Sequence, residues 1–116
     1  MNIRSHVKRL DGMVSKGAIV DAVQEFFSQN SITSDYNNVT TESKSQMIEK
    51  MKGFVGAIAN VNDITHHQTL VDADTSVSEF TFDFDMKDGS KILWHEIIKR
   101  KWNAEGKVIS EQYFQA

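Results

Sequence analysis

Glu96, Arg100 and the adjacent pair His66-His67 are among the residues of this chain whose types could do chemistry. A carboxylate in an apolar setting can serve as a general base or, once protonated, as a general acid. A guanidinium in the same setting is an anchor for a carboxylate or an enolate. An imidazole can give or take a proton near neutral pH. Whether these groups meet depends on the elements that carry them. Neighbours in a strand point to opposite faces, so His66 and His67 cannot chelate one metal together. The same alternation splits the basic run Lys99-Arg100-Lys101 between two faces, and we read no nucleic-acid site there.

The positioning elements are most legible in the last third. Three runs, Glu79–Met86, Lys91–Asn103 and Lys107–Gln115, are joined by Lys87-Asp88-Gly89 and Ala104-Glu105-Gly106. Each joint ends in an acidic residue followed by glycine, which suits a three-residue hairpin loop with glycine in the left-handed position. Pairing Met86 with Ser90 sets Phe84 opposite Ile92, Phe82 opposite Trp94 and Phe80 opposite Glu96. Pairing Asn103 with Lys107 sets Trp102 opposite Val108, Arg100 opposite Ser110, Ile98 opposite Gln112 and Glu96 opposite Phe114. Alternation then collects these aromatic and aliphatic residues on one face, with Glu96 and Arg100 among them. A bare carboxylate there costs several kcal/mol by order of magnitude, so it must be paired, hydrogen-bonded, protonated or open to a cavity. Arg100 lies roughly 13 Å further along, at ~3.3 Å per residue. Each charge therefore needs its own partner, such as Ser110 or Gln112, or a shared ligand.

The opposite face carries Asp83, Lys91, Leu93, His95, Ile97, Lys99, Lys101, Ile109, Glu111 and Tyr113, with Lys99 facing Glu111. Leu93, Ile97, Ile109 and Tyr113 are too many large apolar groups for a solvated face, and they predict a homodimer through it.

Upstream, Ile3, Val7, Leu10 and Val14 form a helical stripe that stops at Gly17. Ile19, Val20, Val23, Phe26 and Phe27 share a second helical face, expected to end near Gln29-Asn30. Ser31–Tyr36 reads as a short strand, Asn37-Asn38 as a turn and Val39-Thr40-Thr41 as another short strand. Ser43 with Gln46 fits a capping box for a third helix whose stripe is Met47, Met51, Phe54, Val55 and Ile58. That stripe is first of all core, although Met and Phe also suit an apolar ligand. A strand at Ile64–Asp72 turns at Ala73-Asp74 into the strand ending at Met86. With that two-residue turn, His67 pairs with Phe80 and points inward, and a one-residue shift would turn His66 in instead.

Composition bounds the rest. At 116 residues, 25% charged and 40% hydrophobic, the chain is one globular domain, residues 1–116. A net charge of −3 argues against a nucleic-acid partner. The absence of cysteine removes disulfide and thiolate chemistry. The start lacks a signal-peptide core and no run is long enough to span a bilayer. The expectations are a cytoplasmic protein, no membrane, no metal and no cofactor.

Helices first, then a curved antiparallel sheet with Asp-Gly and Glu-Gly hairpins, resembles the nuclear transport factor 2-like (cystatin-like) superfamily in its SnoaL-like branch. The resemblance is carried by Phe26-Phe27-Ser28-Gln29-Asn30-Ser31-Ile32, by Ser43-Lys44 and by Trp102-Asn103-Ala104-Glu105-Gly106-Lys107-Val108. It implies an α+β cone with N-terminal helices packed in the concavity of the sheet, and homodimers through the outer face. Set against a ketosteroid isomerase, the general-base aspartate falls on Asp35 and the oxyanion-hole acid on Ile98. The place of the partner tyrosine, near Asp11-Gly12, holds none. Asp35 also reads as a turn aspartate bonding its own backbone.

The expected site is thus Asp35, His67 and Glu96 as acid and base, with Arg100, Phe54, Phe80, Trp94, Ile98 and Gln112 holding the ligand. The leading function is binding of a small, partly apolar, anionic molecule. A cofactor-independent cyclase, isomerase or dehydratase is the second possibility, and an assembly module with a filled pocket the third. Arg100→Met is expected to weaken binding with the fold intact.

Overall fold

The computed structural model describes residues 2–116. Helix α1 (Arg4–Ser15) exists because Val7, Leu10 and Val14 bury one stripe, and Gly17 releases the chain at φ +79°. Helix α2 (Ile19–Phe26) buries Ala22, Val23 and Phe26. It ends earlier than the sequence suggests. Phe27 is already extended and opens β1 (Phe27–Asp35), where it pairs with Val108 of the last strand. Long-range pairing thus overrides local helix preference.

Tyr36-Asn37 turns β1 into β2 (Asn38–Thr41). Helix α3 (Lys44–Gly56) is capped by Ser43, whose hydroxyl accepts from the Gln46 amide at 3.2 Å. The Gln46 side chain accepts in turn from the Glu42 amide at 2.8 Å. Of its stripe Met47 is buried, while Val55 is exposed and Ile58 belongs to the next strand. Strand β3 (Ile58–Asp72) starts before Ile64, where the sequence suggests it begins, because Asn60, Val61 and Asp63 already pair with β4. The strands β4 (Thr75–Met86), β5 (Lys91–Trp102) and β6 (Val108–Gln115) follow. The sheet order is β2-β1-β6-β5-β4-β3, antiparallel except for β1 beside β6. Its inner face places Phe80, Phe82, Phe84, Ile98, Trp102 and Val108 against the helices, and the architecture is an α+β cone.

Register decides what enters the cone. Between β4 and β5 it follows the hairpin loop without interruption: Phe84 faces Ile92, Phe82 faces Trp94 and Phe80 faces Glu96. Between β5 and β6 the loop closes as expected, with the Asn103 amide donating to the Lys107 carbonyl at 2.8 Å. A bulge beside Trp102 then shifts the pairing by one. Arg100 faces Glu111 rather than Ser110, Ile98 faces Tyr113 rather than Gln112, and Glu96 faces Gln115 rather than Phe114. Glu111 and Tyr113, expected outside, point in. Gln112 turns away and donates to the Tyr36 carbonyl at 2.8 Å, and Lys99 faces it instead of Glu111.

A second bulge lies between His66 and Gln68. The turn at Ala73-Asp74 is as expected, but the extra residue pairs Phe80 with His66. The His66 ring stacks on Phe80 at 4.8 Å, and His67 points out to the Thr81 hydroxyl at 2.7 Å.

Candidate functional site

Between α2, α3 and the inner face of the sheet lies a cavity of about 600 Å³. Val23, Met47, Met51 and Phe54 form the helical wall; Phe82, Phe84, Trp94 and Ile98 form the sheet wall. The rings of Phe54 and Trp94 stack at 5.7 Å, and Phe54 meets Phe84 edge-on at 5.8 Å. These walls follow from two patterns in the sequence, the α3 stripe and the alternation of β4 and β5. Into this surface β5 sends Glu96, β1 sends Asp35 from its last position, β6 sends Tyr113 and α3 sends Lys50. The Lys50 ammonium donates to Thr40 Oγ1 at 3.0 Å and lies 6.0 Å from the centre of the Tyr113 ring.

Glu96 is half-buried, and its carboxyl is pushed up to about 7. Burial is the largest cause, the negative charges of Glu111 and Asp35 add to it, and Lys50 opposes it. Arg100 is placed differently. Its guanidinium borders the cavity from beneath, with the residue only 1% exposed. Nε donates to Glu111 at 2.7 Å and Nη1 to Asp11 at 2.9 Å. Burial works against that charge, but Glu111 and Asp11 outweigh it and hold the guanidinium above its ordinary value. Asp11 also accepts from Ser78 Oγ at 2.8 Å and Thr69 Oγ1 at 2.7 Å. The Tyr113 hydroxyl donates to Glu111, and burial followed by Glu111 raises its phenol well above the usual range.

The structure therefore brings together Asp35, Glu96, Phe54, Trp94 and Ile98 at one cavity, with Arg100 at its floor. Phe80 lies behind the wall, fully buried and stacked on Phe82 at 5.5 Å. His67 and Gln112 are not at the cavity, for the register reasons above. Arg100 already faces two carboxylates, so it offers no spare positive charge to an anion. Asp11, Glu111, Tyr113 and Lys50 were not singled out from sequence as site residues. Only Asp11 left a signal: it sits with Val7, Leu10 and Val14 on the buried helical face, where a carboxylate demands a partner. Among the described residues no group of three or more His, Asp or Glu is arranged to hold a metal, and no helix is long and apolar enough to cross a membrane.

No family model and no curated protein matches the chain. Solved structures do. A SnoaL-like protein of Mesorhizobium loti, provisionally described as a polyketide cyclase, matches at a TM-score of 0.85 and 17% identity, covering 98% of this chain and 99% of that one. An uncharacterised cystatin-fold protein of Novosphingobium aromaticivorans matches at 0.83 and 10% identity, covering 99% of each. A ketosteroid isomerase-like fold from Catenulispora acidiphila, solved with trimethylamine, matches at 0.69 and 15% identity over 84% of this chain and 75% of that one. The chain has the nuclear transport factor 2-like, cystatin-like fold. A fold shared at such identities hosts many activities and selects none of them.

Proposed function

We propose that this chain is a small-molecule-binding domain whose cavity takes an organic ligand of largely apolar surface, oriented by Glu96. The observation that carries this reading is the open space of about 600 Å³ lined by the stacked Phe54 and Trp94. That volume lies in the usual range for ligand pockets, about 300–1,000 Å³. An assembly module would have the same space filled by its Phe and Trp side chains. The trimethylamine held by one structural neighbour supports the idea that this fold admits small organic guests. An anionic ligand is less favoured than the sequence suggests, because Asp11 and Glu111 already occupy Arg100.

The neutral fluorophore N-phenyl-1-naphthylamine tests the reading. Its emission should rise on binding the native protein and fail to rise with Met51→Trp, which fills the cavity from α3. Equal binding by a folded Met51→Trp would place the ligand elsewhere and end the proposal.

One observation favours a second reading, a cofactor-independent proton-transfer enzyme. A carboxyl held near 7 beside a cavity is matched to moving a proton at neutral pH. Asp35 with Glu96 would be the acid–base pair, without His67. Deuterium exchange into 2-tetralone, followed by NMR, should be accelerated by the native protein and not by Glu96→Gln. Equal exchange with both proteins rules this reading out.

A further inference from the structure

Resting on the reading of the cavity as a ligand site, we infer that the polar end of the ligand is a cationic amine and that the Glu96 carboxylate receives it. The polar lining is the first reason. Glu96 and Asp35 present carboxylates, and the Tyr113 hydroxyl already donates its hydrogen bond to Glu111, so its oxygen is left to accept. Of the nearby cations, Arg100 is paired with Glu111 and Asp11, and Lys50 donates one hydrogen bond to Thr40. An ammonium meets acceptors at Glu96, Asp35 and Tyr113, whereas an anion meets the two carboxylates as like charges.

Charge points the same way. Around the cavity Asp11, Asp35, Glu96 and Glu111 stand against Arg100 and Lys50, so the field is negative wherever Glu96 ionises. The ionised Glu96 is opposed by burial and by its acidic neighbours, and a cation beside it reverses that opposition. The groups that face it are Glu111 and Tyr113 from β6, Asp35 from β1 and Lys50 from α3. Among these only Lys50 would compete with the incoming cation.

The aromatic walls supply the third reason. Cations are drawn to ring faces, and the molecule's own Lys50 ammonium already lies over Tyr113. The stacked Phe54 and Trp94 offer a second ring surface in the cavity wall. An amine carrying an apolar body would place its body on these rings and its charge at Glu96.

Three isosteric probes separate the possibilities: 2-naphthylmethylamine, 2-naphthylmethanol and 2-naphthoate, titrated by calorimetry at pH 8 with Trp94 fluorescence as a second readout. The amine should bind about tenfold tighter than the alcohol, the difference between a charge-assisted and a neutral hydrogen bond. Naphthoate should be the weakest. Glu96→Gln, checked for folding by circular dichroism, should bring the amine down to the alcohol's affinity in the same variant. Lys50→Met should strengthen the amine. Amine affinity should rise between pH 5.5 and 8, with proton release at pH 7 read from buffer-dependent heats. If the alcohol or the naphthoate binds as well as the amine, or Glu96→Gln does not discriminate, the amine inference falls and the cavity reading stands. If none of the three binds, both fall.

Discussion

Glu96 and Arg100 are both charged, both on the inner face of β5, and separated by the partners that reach them. Asp11 and Glu111 meet the guanidinium in the floor of the cone, while no hydrogen bond contributes to the shift of Glu96. The consequence for Glu96 is a pH-dependent stability. Unfolded, it titrates near its ordinary 4.5; folded, near about 7. Below the lower value both states hold the proton. Between the two values only the folded state does, so the stability this proton confers fades as pH rises and is gone above the folded value. Glu96→Gln should then stabilise the protein at pH 8 by about 1–3 kcal/mol, discounted for partial solvent access, and change little at pH 4. Thermal melts at the two pH values check this, and equal shifts at both would refute it. For Arg100 the expectation reverses the one drawn from sequence. Arg100→Met strands two buried carboxylates and should cost about 3–5 kcal/mol rather than leave the fold intact. Urea denaturation should show this loss, and a triple variant with Asp11→Asn and Glu111→Gln should recover most of it.

At the scale of elements, a hairpin loop sets register only as far as the first bulge. The Lys87-Asp88-Gly89 loop therefore made the β4–β5 pairing readable to its end, and with it the inward direction of Glu96, Phe82 and Trp94. The Ala104-Glu105-Gly106 loop was equally readable, but the bulge next to it was not. That bulge lets Glu111 meet Arg100, which also holds Asp11, a residue 89 positions away. A contact of that range leaves no local mark in the sequence. The same holds for the His66–Gln68 bulge, which reversed the two histidines. Cavity walls were legible because periodicity records them; the buried ion network was not, because its partners come from three elements. The two loops differ in a way that can be measured. Gly89 and Gly106 have φ of +89° and +76°, and either would be strained by alanine, at about 1 kcal/mol. A methyl at Gly106 would also meet His6 Nε2 at 2.9 Å, where the ring is held 6.4 Å from both Phe26 and Trp102. Gly106→Ala should therefore cost about 1 kcal/mol more than Gly89→Ala. Adding His6→Ala should remove the excess; equal midpoints for the two single variants in urea would show that α1 does not press on the last hairpin.

On the scale of the whole molecule, the cone has one face occupied by helices and one left bare. Leu93 is 66% exposed and Ile109 40%, with Ile97 half-buried between them, although Tyr113 has left this face for the interior. Charge is distributed unevenly along it. Asp83 and Asp85, bridged by Lys91, stand at one end of the β4–β5 pair, and Lys99 and Lys101 at the other. A second copy laid on this face by a two-fold axis, with strands antiparallel, would set each basic end over the other copy's acidic end and cover the leucine. A two-fold interface requires such self-complementarity. We therefore expect a homodimer through the outer face, with the two cavities opening away from the contact. Sedimentation velocity at micromolar concentration should find twice the 13.2 kDa of the single chain. Leu93→Glu should yield the monomer, and Lys99→Glu with Lys101→Glu should weaken the dimer by setting like charges against each other. Because Leu93 faces away from the cavity, the Leu93→Glu monomer should still bind the fluorophore. A native protein that sediments as a monomer would rule out the dimer, and a monomeric variant that loses the fluorophore would mean that the bare face supports the site after all.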